Sequence, residues 1–239
     1  MILKELIERS PIRIFEQSIH GGLKPGEIGI IASPHGVGKT SVLVQLALDK
    51  LLQSKKIIHV SFTPNQRFEH TPYVLAWYED IFNEFISRKN LENAAEVKNE
   101  AVKNRVLMNF NQDGVSKDQI TKSLRALIVD GAFKADSIII DGFDFSRSDR
   151  ERIAGVKAFA EEMGLSVWYS CSVNDEGAQY DKENIPVLIK DCADLFDVII
   201  VLDPKSDHVE LSVSKDRGAD AAKSMAMRLH PKTLLILEA

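Results

Sequence analysis

Two cysteines in 239 residues, Cys171 and Cys192, are too few for a disulfide framework and lack the paired spacing of a metal site. They read as reduced thiols in a reducing compartment. No stretch approaches the roughly 18 consecutive apolar residues of a membrane-spanning helix. The opening segment, MILKELIERSPIRIFEQ, mixes acids and bases and lacks the apolar run and small-residue cleavage site of a secretory signal, so a cytoplasmic location is expected, with no membrane partner. Positive charge is not in excess. Lys and Arg number 30 against 35 Asp and Glu, a formal net charge of -5, which argues against non-specific coating of nucleic acid, because that affinity comes from neutralising phosphates with cations. Linkers, repeats and low-complexity tracts are also missing. What remains, 44% hydrophobic and 27% charged, is ordinary globular composition, and the length suffices for one domain over residues 1–239 with a sizeable core.

Hydrophobic periodicity gives the order of elements. Glu27–Ser33 reads as a buried strand and Ser41–Gln53 as a helix, with only a tight loop between them. A strand over Lys56–Phe62 stops before Pro64. Two helices, Pro72–Ser87 and Leu91–Asn104, fill a helical region that looks inserted at 65–113. Its aromatics Trp77, Tyr78, Phe82 and Phe85 recur at helical spacing, which favours core packing over a base-stacking platform, and no interleaved cations support base stacking. A strand over Val106–Phe110, a helix over Lys117–Val129 with Leu124, Leu127 and Ile128 inward, and a buried strand over Ser137–Asp141 follow. Next come a helix over Arg150–Met163, a strand over Leu165–Ser170, a polar loop to Asn184, and a further helix. Strands are expected near Val198–Leu202, Val209–Ser214, Ala226–Leu229 and Thr233–Leu237. Alternating helices and nearly all-apolar strands mean an α/β fold on a mainly parallel sheet with helices on both faces, and the helix-free last strands mean an antiparallel C-terminal edge.

The sharpest local feature is Ser33-Pro34-His35-Gly36-Val37-Gly38-Lys39-Thr40, followed by Ser41. It fits the phosphate-loop pattern G-x-x-x-x-G-K-[ST] except that Ser33 stands in the first glycine's place, a departure of one small side chain. Gly36 and Gly38 let backbone N–H groups turn toward phosphate oxygens, and the helix N-terminus adds positive potential. Lys39 supplies a cation to the outer phosphates and Thr40 a hydroxyl to Mg²⁺. His35, inside the loop, either contacts the nucleotide or points to solvent, and the second is favoured. About 100 residues on, three isoleucines end in Asp141, the pattern that brings a carboxylate to a strand's C-terminal tip, where open α/β sheets bind ligands. Asp141 is the expected Mg²⁺ partner of Thr40, and Asp144 a weaker neighbour.

Together these residues resemble the RecA-like P-loop ATPases, in the branch of the KaiC-type and DnaB-type proteins. Gly21-Gly22-Leu23-Lys24-Pro25-Gly26-Glu27 is similar to that branch's lead-in to the phosphate-loop strand, and Lys215-Asp216-Arg217-Gly218 matches its K-x-R-G signature on a late strand. The resemblance implies a RecA-like fold, binding of ATP with Mg²⁺, and a homo-oligomer in which Lys215 and Arg217 reach a neighbour's γ-phosphate. Two cations two apart on a strand lie on one face, as such fingers need. A solvated basic patch is the alternative for that pair.

Two departures bear on catalysis. Where the family carries a glutamate that activates water, this chain has Thr63, which is no carboxylate base at neutral pH; Glu69 could replace it only by folding back. The family's polar sensor would fall at Ser170, Cys171 or Ser172, with Cys171 expected to be plain packing. The leading expectation is therefore a slow Mg²⁺-dependent ATPase or nucleotide-controlled switch. The alternative is a non-hydrolysing ATP-binding regulator whose signalling or assembly depends on occupancy alone. Separately, Asn174–Asn184 sits where the family places substrate-facing loops and is a candidate effector element, and a protein partner is a further candidate. A small-molecule kinase would need an arginine-rich lid, which is absent from the sequence. A ParA/MinD-type ATPase would carry a lysine where Pro34 stands.

Overall fold

The computed structural model describes residues 3–63, 70–89, 91, 93–111, 118–147, 150–173, 179–219 and 223–238. In chain order the helices are α1 (Leu3–Glu8), α2 (Ile12–Ser18), α3 (Lys39–Leu52), α4 (His70–Lys89), α5 (Ala94–Lys103), α6 (Gln119–Arg125) and α7 (Arg150–Met163). The strands are β1 (Ile28–Pro34), β2 (Ile57–Thr63), β3 (Arg105–Asn111), β4 (Ser137–Asp141), β5 (Ser166–Val173), β6 (Val198–Pro204), β7 (Val209–Asp216), β8 (Lys223–Leu229) and β9 (Ile236–Glu238). They form one nine-stranded sheet in the order β3-β2-β4-β5-β1-β6-β7-β8-β9. The strands from β3 to β6 run parallel, and β7, β8 and β9 continue the sheet antiparallel. The chain is thus α/β with a mostly parallel sheet and an antiparallel C-terminal edge, as the pattern of elements predicts.

Alternation along the central strands splits the core in two. Ile31, Ile57 and Ile139 join α1 to α5 in one cluster. Ile30, Ile58, Ile138 and Ile140 join α6, α7 and the segment 187–195 in the other. Burial on both faces explains why β1 and β4 read as unbroken apolar runs. In α4, Val74, Tyr78, Ile81 and Phe82 are buried, while Trp77 and Phe85 pack at the margin of the same core, so these aromatics serve packing. Tyr73 and Leu75 remain exposed.

Several boundaries differ from the periodicity. The helix expected over 117–129 is α6 plus one π turn, Ala126–Asp130; Leu124 and Ile128 face inward and Leu127 is half-buried. The segment Val187–Leu195 is 3₁₀ rather than α. Residues 230–235, expected to begin a strand at Thr233, form a closed turn instead. The His230 imidazole accepts the Thr233 amide at 3.2 Å, and Leu234 takes a left-handed φ of +53°, far from regular strand geometry. The short helices α1 and α2 carry too little periodicity to be read from sequence. No helix among the described residues is long and apolar enough to cross a membrane.

Candidate functional site

The C-terminal tips of β1, β2, β4 and β5 share one edge of the sheet, and the segment 33–41 lies there between β1 and α3. Gly38 precedes α3 at φ +120°, and no side chain caps the helix. The first-turn amides therefore lack an internal acceptor and face outward with the positive end of the helix dipole. Gly36 and Gly38 each hold a left-handed φ. A methyl on Gly36 would meet nothing within 4 Å, whereas one on Gly38 would sit 3.0 Å from Leu229 Cδ1. Gly36 is thus required by backbone conformation alone, and Gly38 by conformation and by close packing. Pro34 and Val37 are half-buried, and His35 is exposed, as expected.

Lys39 is 7% exposed. Its Nζ donates to the carbonyl of Ser33 at 3.1 Å, to Ser33 Oγ at 3.1 Å and to the carbonyl of Pro34 at 2.8 Å. Ser33, itself fully buried, thus adds a hydroxyl to the lysine's resting cradle, a contact that the glycine it replaces would not make. Burial pushes the Lys39 amine down to about 8, partly countered by the nearby Cys171 and Asp141. The ammonium is tethered only to neutral oxygens, a state that an anion in the loop would relieve.

Thr40 and Asp141 meet. The Thr40 hydroxyl donates to Asp141 Oδ2 at 2.8 Å across 101 residues of sequence. The other oxygen, Oδ1, accepts Ser170 Oγ at 2.6 Å, and the same Ser170 hydroxyl accepts the Gly142 amide at 2.9 Å. Asp141, only 4% exposed, is therefore fixed by one hydroxyl from α3 and one from β5. Ser170, one of the three candidate sensor positions, orients the carboxylate. Cys171 is fully buried and its thiol is pushed up to about 12 by burial, the chemistry of an inert packing residue. Ser172 is exposed at the strand tip beside Ser33. Asp144 is half-buried, and its Oδ1 accepts the amide and hydroxyl of Ser146 at 3.0 and 2.6 Å. Among the described residues no group of three His, Cys, Asp or Glu side chains is arranged to hold a metal. A site of one carboxylate and one hydroxyl fits Mg²⁺, which keeps waters and takes its remaining oxygens from bound phosphates. Residue 63 ends β2 at this edge; Glu69 and the first half of the Asn174–Asn184 loop lie outside the described residues.

Ser41 does not face the loop. It is fully buried, and its hydroxyl donates to the Leu234 carbonyl at 2.8 Å. Lys215 and Arg217 do not share a strand face either. β7 ends at Asp216, and Arg217 follows in a left-handed turn at φ +54°. The Arg217 guanidinium takes Glu27 in a two-pronged contact (2.8 and 2.6 Å), pairs with Asp216, and donates to the carbonyls of Ile19 at 3.0 Å and Gly22 at 2.6 Å. Burial works against the Glu27 charge, but bonds from Arg217 and the Lys24 amide outweigh it and hold the carboxyl below its usual range. Arg217 thus locks the glycine-rich lead-in, at the end of β1 opposite the loop 33–40. Lys215 donates to the carbonyls of Ala193 and Asp194, where the 3₁₀ segment ends, at 2.9 and 3.2 Å. Both cations have partners within their own chain, a finding spacing alone did not signal.

Models of known protein families and curated protein sequences were both compared with this chain, and neither gave a match.

Proposed function

We propose that this chain binds ATP with Mg²⁺ in the loop 33–40, as a RecA-like nucleotide-controlled protein of the KaiC and DnaB type with slow or no turnover. The observation that carries the reading is the Thr40–Asp141 contact at 2.8 Å beside an uncapped helix N-terminus. A hydroxyl and a carboxylate placed this way fit a hydrated divalent cation bridging to phosphate, and a chance glycine-rich turn gives no reason for a buried aspartate to meet the loop. The position of β5 between β1 and β4 also supports it, because Ser170 then reaches Asp141 from the intervening strand.

In this reading the amides of residues 36–40 bind the β- and γ-phosphates, and Lys39 leaves the Ser33 and Pro34 carbonyls to neutralise them. Thr40 and Asp141 would hold Mg²⁺, with Ser170, itself held by the Gly142 amide, fixing the carboxylate's rotamer. Bound Mg²⁺ supplies charge neutralisation between the outer phosphates. Thr63 provides no general base, so turnover is expected well below the enzyme median of about 10 s⁻¹.

The second reading, a regulator that binds ATP without hydrolysing it, is favoured by the same residue 63. The homo-oligomeric part of the proposal rests on the family resemblance. Lys215 and Arg217 enter it as fingers acting on a neighbour's nucleotide only where assembly releases them from Ala193, Asp194, Glu27 and Asp216.

Equilibrium titration of the purified chain with ATP and Mg²⁺ tests the proposal. Saturable binding that Lys39→Ala abolishes is the expected result. Equal affinity in the variant refutes the assignment, and fast steady-state phosphate release refutes the slow-turnover part.

A further inference from the structure

We infer that the hairpin of β8 and β9, with its turn at 230–235, sets the conformation in which the phosphate loop accepts an anion, and that Gln45 is the positioning residue coupling the two. The inference rests on the phosphate-binding reading above and concerns the regulation of that same site.

Gln45 is 2% exposed and lies six residues beyond Lys39, about 9 Å along α3, too far to touch a ligand held at the loop. Its carboxamide is nonetheless fully used. Nε2 donates to the Leu234 carbonyl at 2.9 Å and approaches the Ser41 carbonyl and hydroxyl at 3.1 and 3.2 Å, while Oε1 accepts the Ile236 amide at 2.8 Å. The reverse orientation would set carbonyl against carbonyl and amide against amide, so the chemistry fixes the rotamer. Ser41 adds its own hydrogen bond to the Leu234 carbonyl.

That carbonyl is presented by a turn with little freedom. Leu234 is held at φ +53°, a conformation unfavourable for leucine, by bonds from its amide to the His230 carbonyl at 2.8 Å and from the His230 amide to the Leu235 carbonyl at 2.9 Å. Just before the turn, fully buried Leu229 packs against Gly38. The hairpin therefore touches the loop's last glycine and the first turn of its helix, on both sides of Lys39 and Thr40. If the carboxamide is lost, the buried Ile236 amide loses its partner and the Leu234 carbonyl keeps only the Ser41 hydroxyl, so the register between hairpin and helix is less firmly held. Coupling is reciprocal: an anion that orders the loop must also protect the hairpin, and loosening the hairpin must weaken the anion.

The test compares the full chain with Gln45→Leu by amide hydrogen exchange and by titration with a fluorescent ATP analogue plus Mg²⁺, at a temperature where circular dichroism shows both folded. Without nucleotide, exchange in the Leu variant is expected to rise about ten-fold both at 234–238 and at 35–43. Affinity is expected to fall about ten-fold, as when the competent fraction of the loop drops to about a tenth. In the unmodified chain the analogue should slow exchange at Ile236, an effect a merely structural glutamine would not show. Faster exchange at 234–238 with 35–43 unchanged overturns the inference, as does unaltered affinity in that variant. A wild-type chain that fails to bind the analogue overturns the phosphate-binding reading instead, and the nucleotide-free exchange comparison still decides the coupling. Should Gln45→Leu not fold, Ser41→Ala removes one of the two bonds to Leu234, and a change of about three-fold in the same direction is expected at both segments.

Discussion

Raising the pH should loosen nucleotide binding because of one buried amine. In the ligand-free protein Lys39 is held down to about 8 by burial, and its Nζ is hydrogen-bonded only to neutral oxygens, with the Asp141 charge nearby countering part of the shift. Polyphosphate beside that amine favours the charged form and restores it to the ordinary lysine range of about 10.4 or above. Binding above pH 8 must therefore take up a proton. Some nine-tenths of the free protein carries the charge at pH 7 and about 3% at pH 9.5, so affinity should fall about 30-fold over that interval, by nearly one decade per pH unit at its upper end. The assay is ATP titration at fixed ionic strength and excess Mg²⁺ from pH 7 to 9.5, where the triphosphate is fully ionised. The fold itself responds with the opposite sign. The buried charge costs the ligand-free chain about 3 kcal/mol below pH 8, since the unfolded lysine holds its proton more tightly. That penalty fades as pH rises toward 10.4, where the unfolded lysine also loses its proton. The Lys39→Met chain should lack this rise in stability, by urea denaturation across the same range. Flat affinity between pH 7 and 9.5, with a Lys39 variant that follows the same stability profile as the native chain, would refute the reasoning.

Three further outcomes are expected. Arg217→Ala should destabilise the chain by about 2–4 kcal/mol in urea, because it strands the partly buried Glu27 and the carbonyls of Ile19 and Gly22, and Arg217→Lys should restore less than half, lacking the planar fork; a neutral result would mean the arginine is not a lock. Gly38→Ala should lose about 2–3 kcal/mol and nucleotide binding together, against about 1 kcal/mol for Gly36→Ala, whose methyl meets open space; equal effects in denaturation would contradict the close approach of Leu229. Asp141→Asn should leave metal-free ATP binding intact and remove a roughly ten-fold gain in affinity on adding Mg²⁺; a persisting gain would place the cation elsewhere.

The parts that sequence made legible were those written in contiguous residues. β1, the loop and α3 form one uninterrupted stretch, and the isoleucines of β4 deliver Asp141 to a strand tip by simple alternation. What stayed hidden depends on partners far away in the chain. Arg217 finds Glu27 across 190 residues and Ser41 finds Leu234 across 193, and no local pattern signals either contact. Ser170 stood at an expected site position, but only the sheet order shows that it grips Asp141. The string Thr-Leu-Leu-Ile-Leu near the end has strong strand propensity, and the His230 imidazole and the left-handed Leu234 override it to delay β9 until Ile236.

The central claim is that the turn after β1 grips a polyphosphate. A crystal of the full chain grown with a non-hydrolysable ATP analogue and Mg²⁺ tests it most directly. The expected result is β- and γ-phosphates on the amides of residues 36–40, Lys39 Nζ moved off the Ser33 and Pro34 carbonyls onto them, and a cation at Thr40 with Asp141 within reach through water. An empty loop with Lys39 still on those carbonyls, at saturating analogue, would contradict it.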